Sequence, residues 1–377
     1  MNKVLFVSPT VYSNPLTKDI QKKFQSLSNV CNPIVYAFSE EKFTSSVEGV
    51  EAIFNKKNKN RFLNYLKIIF LFFFKIPKIV KEQNIDIVCL QDPITGFFTI
   101  FSLKIRKLPV KIVVETHGDF LDTIGLEKNL LLPKFYTSLF SYLAKYSIKK
   151  ADLIRSISEF TEKQVLNFGY QGLFVRFPAW INIDNYLNAD IKRSYSDTFK
   201  IIFVGSVTER KNPKIIIESL ETIDGDVSLE IIGQTPNLKY LKELNNLISS
   251  SKHAENITMT PFIKAEELIS KYSSANLFIL PSKSEGLGRV IIEAQSTACP
   301  VLVSSNTGMV DLIIENETGY IFENNNKNDL SNKIQHIMNN YESALQTGLN
   351  SKDFVKENQS VANFEFGYKK LIDLVST

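Results

Sequence analysis

Two glutamates eight residues apart, Glu285 and Glu293, bracket a glycine-bearing turn in the stretch Pro281–Glu293, which reads PSKSEGLGRVIIE. An apolar run, Leu277–Leu280, precedes it, and a helical pattern opens at Gly288. Gly286 and Gly288 let backbone N–H groups approach a ligand closely. The start of the helix, around Leu287 to Val290, adds unpaired N–H groups and the positive end of its dipole at the same spot. That combination suits a diphosphate. Glu285 lies in the turn and Glu293 about two helical turns further on, so the pair can address different parts of one extended ligand. Glu293 is suited to accept from both hydroxyls of a ribose. Taken alone, two glutamates eight apart would favour a plainer account, in which Glu285 caps a helix and Glu293 sits on its surface. Within the order strand, Ser-x-x-Glu-Gly, helix, Glu-Ala, next strand, a ligand site is the better reading. Upstream, Arg210 and Lys211 follow a strand and the pair Gly205-Ser206, just ahead of Pro213 at a first-turn position. Lys211 there offers a point charge to phosphate. His117 and Gly118 end the run Lys111–Glu115, where a polar residue at the carboxyl end of a strand favours a functional role over a structural one.

Those residues need elements to hold them. Short apolar runs alternate with helical segments along the chain, the signature of parallel βαβ units and an α/β fold. Strands are expected at Val4–Ser8, Ile34–Phe38, Asp86–Leu90, Lys111–Glu115, Leu153–Ser156 and Leu173–Arg176, with helices at Phe62–Glu82, Leu131–Lys150 and Glu159–Phe168 between them. A second series has strands at Lys200–Val204, Ser228–Ile232, Ile257–Met259, Leu277–Leu280 and Pro300–Ser304. Its helices are Pro213–Thr222, Leu238–Ser250, Ala265–Ser274, Gly288–Thr297 and Asn328–Tyr341. The polar stretch Asn185–Thr198 separates the two series. The expected division is therefore 1–190, 191–360 and a final amphipathic helix over 361–377, which either extends the second domain or crosses back onto the first. Two such domains facing one another would leave a cleft outside the carboxyl ends of their strands.

Composition sets further bounds. A chain of 377 residues exceeds the usual span of one core. Its three cysteines, Cys31, Cys89 and Cys299, sit singly among apolar residues and read as reduced, buried thiols. His117, His253 and His336 have no ligand-spaced His or Cys neighbours, so no metal site is expected. The most apolar stretch, Phe62–Phe74, falls short of the roughly 20 residues a spanning helix needs. Met1–Ser8 runs directly into a strand pattern, so a cytoplasmic location is expected. Residues 1–190 hold 25 Lys and Arg against 17 Asp and Glu, whereas 191–377 hold 19 against 23. The basic excess centres on Lys56, Lys57, Lys59, Arg61, Lys67, Lys75, Lys78 and Lys81, among Phe, Tyr, Leu and Ile. Such a helix fits an anionic membrane surface, or a sheet-covering helix whose lysines reach into water. The aromatic residues fit a helical core better than a base-stacking platform, which disfavours nucleic acid. No G-x-G-x-x-G follows either first strand, which disfavours a dinucleotide-dependent oxidoreductase.

The stretch Glu285–Glu293 resembles the E-x7-E signature of the retaining glycosyltransferases of family 4. Phe203–Asn212 is similar to that family's F-V-G-R-L-x-x-x-K-G segment, and Ile231–Pro236 to its I-x-G-x-G-P turn. Asn306–Asp311 resembles its G-G-x-x-E turn, Glu317–Tyr320 its E-T-G, and Asn363–Glu365 a degraded F-S-W. Glu115–Gly118 and Ala151–Ser158 match more loosely. The resemblance implies a GT-B fold, two Rossmann-like domains whose parallel sheets face across an interdomain cleft. It implies transfer of a sugar, with retention and without a metal or other cofactor, from a nucleotide-sugar donor to a glycan or lipid-linked acceptor, as in surface-polysaccharide synthesis. It also assigns roles: Lys211 to the diphosphate, Glu293 to the ribose, Glu285 to the sugar hydroxyls and His117 to the transferred sugar. Gly205, Ser206, Arg210 and the backbone of Gly286, Leu287, Gly288 and Val290 would complete the donor site. The chain departs from the pattern in four places. Ser206 replaces an Arg, Asn212 a Gly and Thr307 a Gly, and Ser8–Pro15 stands where the family has a Gly-Gly loop. Those losses leave a second reading open, a non-catalytic, membrane-associated sugar- or nucleotide-binding partner in a polysaccharide-assembly complex.

Overall fold

The computed structural model describes residues 1–118, 133–191, 193, 197–305 and 307–377. Positions 131–132 of one expected helix, Asn306 of the expected turn, and 192 and 194–196 of the expected linker lie outside the described residues. The chain divides into two compact units. One gathers the described residues up to Trp180 together with Val361–Thr377, and the other holds Ile181–Ser360.

The first unit runs β1 (Lys3–Tyr12), α1 (Lys18–Ser28), β2 (Asn32–Ser39), β3 (Phe43–Val47), β4 (Val50–Lys56), α2 (Arg61–Gln83), β5 (Ile87–Leu90), α3 (Pro93–Ile105), β6 (Lys111–Thr116), α4 (Pro133–Lys150), β7 (Leu153–Ser156), α5 (Glu159–Asn167) and β8 (Leu173–Arg176). Among the described residues its sheet has the order β3-β4-β2-β1-β5-β6-β7-β8, parallel except for β3 against β4. Both faces are covered, because side chains alternate along a strand. Val4, Phe6, Val35 and Cys89 join one core with Phe24 and Leu27 of α1. Leu5, Val7, Tyr36 and Val88 join another with Ile68, Leu71, Phe72, Ile76 and Val80 of α2. Strand β1 continues to Tyr12 past the expected Ser8, with a register shift between Val7 and Val11. Pro77 lies inside α2 and cannot donate to the Phe73 carbonyl one turn back. The Ser102 hydroxyl of α3 donates to that carbonyl instead.

The second unit runs α6 (Asp184–Leu187), β9 (Phe199–Val204), α7 (Pro213–Leu220), β10 (Val227–Ile232), α8 (Leu238–Ser250), β11 (Ile257–Thr260), α9 (Ala265–Ser274), β12 (Leu277–Leu280), α10 (Arg289–Ser296), β13 (Val301–Ser304), β14 (Tyr320–Phe322), α11 (Lys327–Asn339) and α12 (Tyr341–Asn358). Its sheet is all parallel in the order β11-β10-β9-β12-β13-β14. The chain leaves β9 towards β10, while β12 lies on the other side of β9. Strands β9 and β12 therefore flank the point where the strand order reverses, the place at which open α/β sheets bind ligands.

The last helix, α13 (Val361–Ser376), belongs to the first unit. Its Phe364, Tyr368, Leu371, Ile372 and Val375 are buried in the same core as α1. Cys31, Cys89 and Cys299 are free and buried.

Candidate functional site

In the second unit the loops after β9 and β12 meet because those strands are neighbours. The Lys211 ammonium bonds to Glu285 Oε2, and Arg210 Nη1 lies 3.3 Å from the same oxygen. Arg210 also donates to the Ser284 carbonyl at 2.9 Å, and its own carbonyl accepts from the Lys283 N–H at 2.8 Å. All three charged side chains are largely covered, with 12–17% of their surface exposed. Two cations thus converge on one carboxylate oxygen.

Backbone geometry prepares the same end of the sheet. Gly205 and Gly233 have φ of 150° and 149°, and a Cβ on Gly233 would sit 1.9 Å from the Gly205 carbonyl oxygen. Glycine is therefore demanded where these loops cross, beside Lys211, whose Cε is 4.0 Å from the Cβ position of Gly205. Helix α7 starts after Asn212 and α10 after Gly288, both in the left-handed region with φ of 53° and 77°. Asparagine tolerates that conformation better than most residues, which accounts for Asn212 in place of glycine. The Asn212 side chain makes no capping hydrogen bond and Gly288 has no side chain to make one, so neither residue takes up the N–H groups of its helix's first turn through a side chain. Leu287 and both glycines of the turn are buried, Val290 is half-buried and Ser206 is exposed.

Glu293 lies on α10, half-buried, and accepts from the Tyr272 hydroxyl at 3.4 Å. Burial pushes its pKa up to about 7, against the opposing pull of Arg289 and the Tyr272 hydrogen bond. Tyr272, fully buried, comes from α9 and was invisible in the sequence as a site residue; only the packing of α9 on α10 places it here.

His117 belongs to the first unit, just past β6. Its Nε2 lies 2.8 Å from Glu115 Oε2, and a third of its side chain is exposed. Glu115 is fully buried. It also accepts from Arg155 Nη1 at 3.1 Å and from the Tyr368 hydroxyl at 2.8 Å. Desolvation favours the neutral acid here, but Arg155, His117 and Tyr368 together hold the carboxyl well below its usual range. An ionised carboxylate only accepts, so His117 Nε2 carries the proton in that bond. The ring itself is held below the ordinary histidine value, first by desolvation and then by Arg155 and Lys23, with Glu115 opposing. Arg155 is covered by the Phe177 ring at 4.0 Å and the Tyr368 ring at 5.1 Å, and donates to the Pro178 carbonyl at 2.7 Å. Glu115 and Arg155 sit directly across from one another on β6 and β7. The sequence carried a signal for them, since each is a charge directly after an apolar run within its strand.

Among the described residues, no group of three His, Cys, Asp or Glu side chains is placed to hold a metal ion.

Comparison with known proteins places this chain among the glycosyltransferases. A family model described as "Glycosyltransferase Family 4" matches residues 32–184, and one described as "Glycosyl transferases group 1" matches 187–354. The chain is 28% identical over 307 residues to the O-antigen biosynthesis glycosyltransferase WbnH of Escherichia coli, covering 80% of this chain and 81% of that one. It is 25% identical over 282 residues to the capsular polysaccharide biosynthesis glycosyltransferase CapM of Staphylococcus aureus, covering 73% and 70%. Anabaena HepE, solved in complex with UDP-glucose, superposes with a TM-score of 0.73 at 14% identity over 99% of each chain. That likeness shows a shared GT-B fold.

Proposed function

The chain belongs to family 4 of the glycosyltransferases, and from that premise we propose that it transfers a hexosyl group, with retention, from a nucleotide-sugar to a glycan or lipid-linked acceptor. The setting proposed is cell-surface polysaccharide synthesis at the cytoplasmic face of the membrane. The second unit would hold the donor and the first the acceptor. HepE was solved with UDP-glucose, WbnH is named for O-antigen biosynthesis and CapM for capsular polysaccharide biosynthesis, which supports the donor class and the setting proposed.

The observation that carries the reading is Lys211 and Arg210 gathered on Glu285 beside two helix starts without side-chain caps, at the strand-order reversal. A donor diphosphate would draw the two cations to itself, and Glu285, released from them, would accept from the sugar hydroxyls. Arg210 would supply the charge that Ser206 lacks. As the bond from the anomeric carbon to phosphate breaks, negative charge grows on the leaving diphosphate. Lys211, Arg210 and the first N–H groups of α10 would stabilise it as preorganised dipoles and charges. These groups perform the task a metal ion serves elsewhere, so the proposed mechanism needs none. Glu293 would hold the ribose, and His117, its ring fixed by Glu115, would face the transferred sugar.

A thermal-shift screen of nucleotide-sugars, followed by nucleotide release with candidate acceptors, tests the proposal. Stabilisation by one nucleotide class and acceptor-dependent release are the expected results. Binding without release or transfer would favour the non-catalytic partner instead, and binding of no nucleotide-sugar would remove the donor site.

A further inference from the structure

The first unit carries a second surface that the donor site does not use. Helix α2 buries Ile68, Leu71, Phe72, Ile76 and Val80 against the sheet, yet its outer face is also apolar. Phe62, Leu66, Phe70 and Phe74 recur every fourth residue and so form one stripe. They are 69%, 48%, 55% and 49% exposed. The stripe continues onto α3, which packs beside α2 and exposes Phe101 and Ile105. The join is built: the Phe73 and Phe101 rings lie 6.3 Å apart, and the Arg106 guanidinium sits 5.2 Å above Phe73. Large apolar patches of this kind mark interaction surfaces.

Charge identifies the occupant. Lys59 precedes the stripe, Lys78 ends it, Lys67 and Lys75 lie alongside, and Lys104, Arg106 and Lys107 cluster at the end of α3. Glu82 is the one acidic residue in α2, and it pairs with Lys78 at 3.5 Å. An apolar stripe bordered almost wholly by cations matches an anionic bilayer, in which rings enter the acyl boundary and ammonium groups meet lipid phosphates. Among the described residues no helix is long and apolar enough to cross a membrane. Helix α2, about 34 Å long, suits an in-plane position.

We propose that the α2–α3 face, through Phe62, Leu66, Phe70, Phe74 and Ile105, inserts in the plane of an anionic lipid leaflet, with the flanking lysines on the headgroups. This refines the membrane location proposed above and shares no residue with the donor site, so the two can fail separately.

The test is co-sedimentation of the full chain with vesicles of phosphatidylcholine alone and of phosphatidylcholine mixed with phosphatidylglycerol. Binding to the mixed vesicles only, weakened by salt, is expected. Phe70→Ser with Phe74→Ser should lower partitioning about tenfold or more, while nucleotide-induced thermal stabilisation stays as in the unaltered chain. Lys75→Glu with Lys78→Glu should remove the preference for anionic lipid. Equal binding to both vesicle types, or unchanged binding by the double Phe variant, would overturn the proposal. So would a lipid-free dimer, seen by sedimentation, that the double Phe variant abolishes, since the face would then join two copies of the chain.

Discussion

The Tyr368 hydroxyl donates to Glu115 Oε1 at 2.8 Å across 253 residues of chain, and both side chains are buried. The C-terminal helix is thereby tied to the carboxylate that orients His117. Tyr368→Phe deletes the donor and leaves one Glu115 oxygen short of a partner, at a cost of about 1–3 kcal/mol. Glu115→Gln leaves Arg155 as an uncompensated buried cation, at about 3–5 kcal/mol. Denaturant titration should rank the unaltered chain above Tyr368→Phe and Tyr368→Phe above Glu115→Gln. Equal midpoints for the first two would show that the bond contributes nothing. The folded carboxyl is depressed below the reference 4.5, so the unfolded chain binds more protons at acid pH. The stability contributed by the Glu115 carboxylate should be complete above 4.5 and decline as pH falls below it.

Glu293 points the opposite way. With a pKa raised to about 7, it is partly protonated at neutral pH, and a protonated acid accepts poorly from ribose hydroxyls. Affinity for the nucleotide identified by the screen should rise between about pH 6 and pH 8, with proton release on binding. In Glu293→Gln that rise should flatten to whatever the diphosphate's own titration contributes. An unchanged pH profile in the variant would separate Glu293 from the ligand.

Removal of the charges at the strand-order reversal should be costly. Lys211→Ala and Glu293→Ala are each expected to cut turnover at least tenfold, or about 1.4 kcal/mol. Arg210→Ala should weaken nucleotide binding to a similar degree if it replaces the arginine absent at Ser206. Folded Lys211→Ala and Glu293→Ala variants turning over at the normal rate would remove the site assignment.

The loop crossing offers a purely steric check. Gly233→Ala would force a Cβ to within 1.9 Å of the Gly205 carbonyl at a φ of 149°, and should destabilise by more than about 1 kcal/mol. Gly118→Ala meets nothing within 4 Å, and its thermal midpoint should stay close to that of the unaltered chain. A Gly233→Ala midpoint equal to that of Gly118→Ala would contradict the packing described.

Strands such as Leu153–Ser156 and Leu277–Leu280 and helices such as Leu238–Ser250 were legible in the sequence to the residue, because periodicity is a local property of the chain. The turn carrying Glu285 and the helix carrying Glu293 were legible for the same reason. The antiparallel pair β3 and β4 was not, since Thr44, Ser45 and Ser46 weaken the apolar alternation. Helix α3 also escaped notice, as did β14 and α12. What residue types and spacing could never settle is which distant segments become neighbours. Lys211 meets Glu285, 74 residues away, only because β9 and β12 lie side by side. Glu115, Arg155 and Tyr368 meet because β6 pairs with β7 and the final helix packs into the first unit. Local sequence sets the period and ends of each element, whereas strand order and helix docking follow from burying all the apolar faces at once, a condition only the whole fold satisfies.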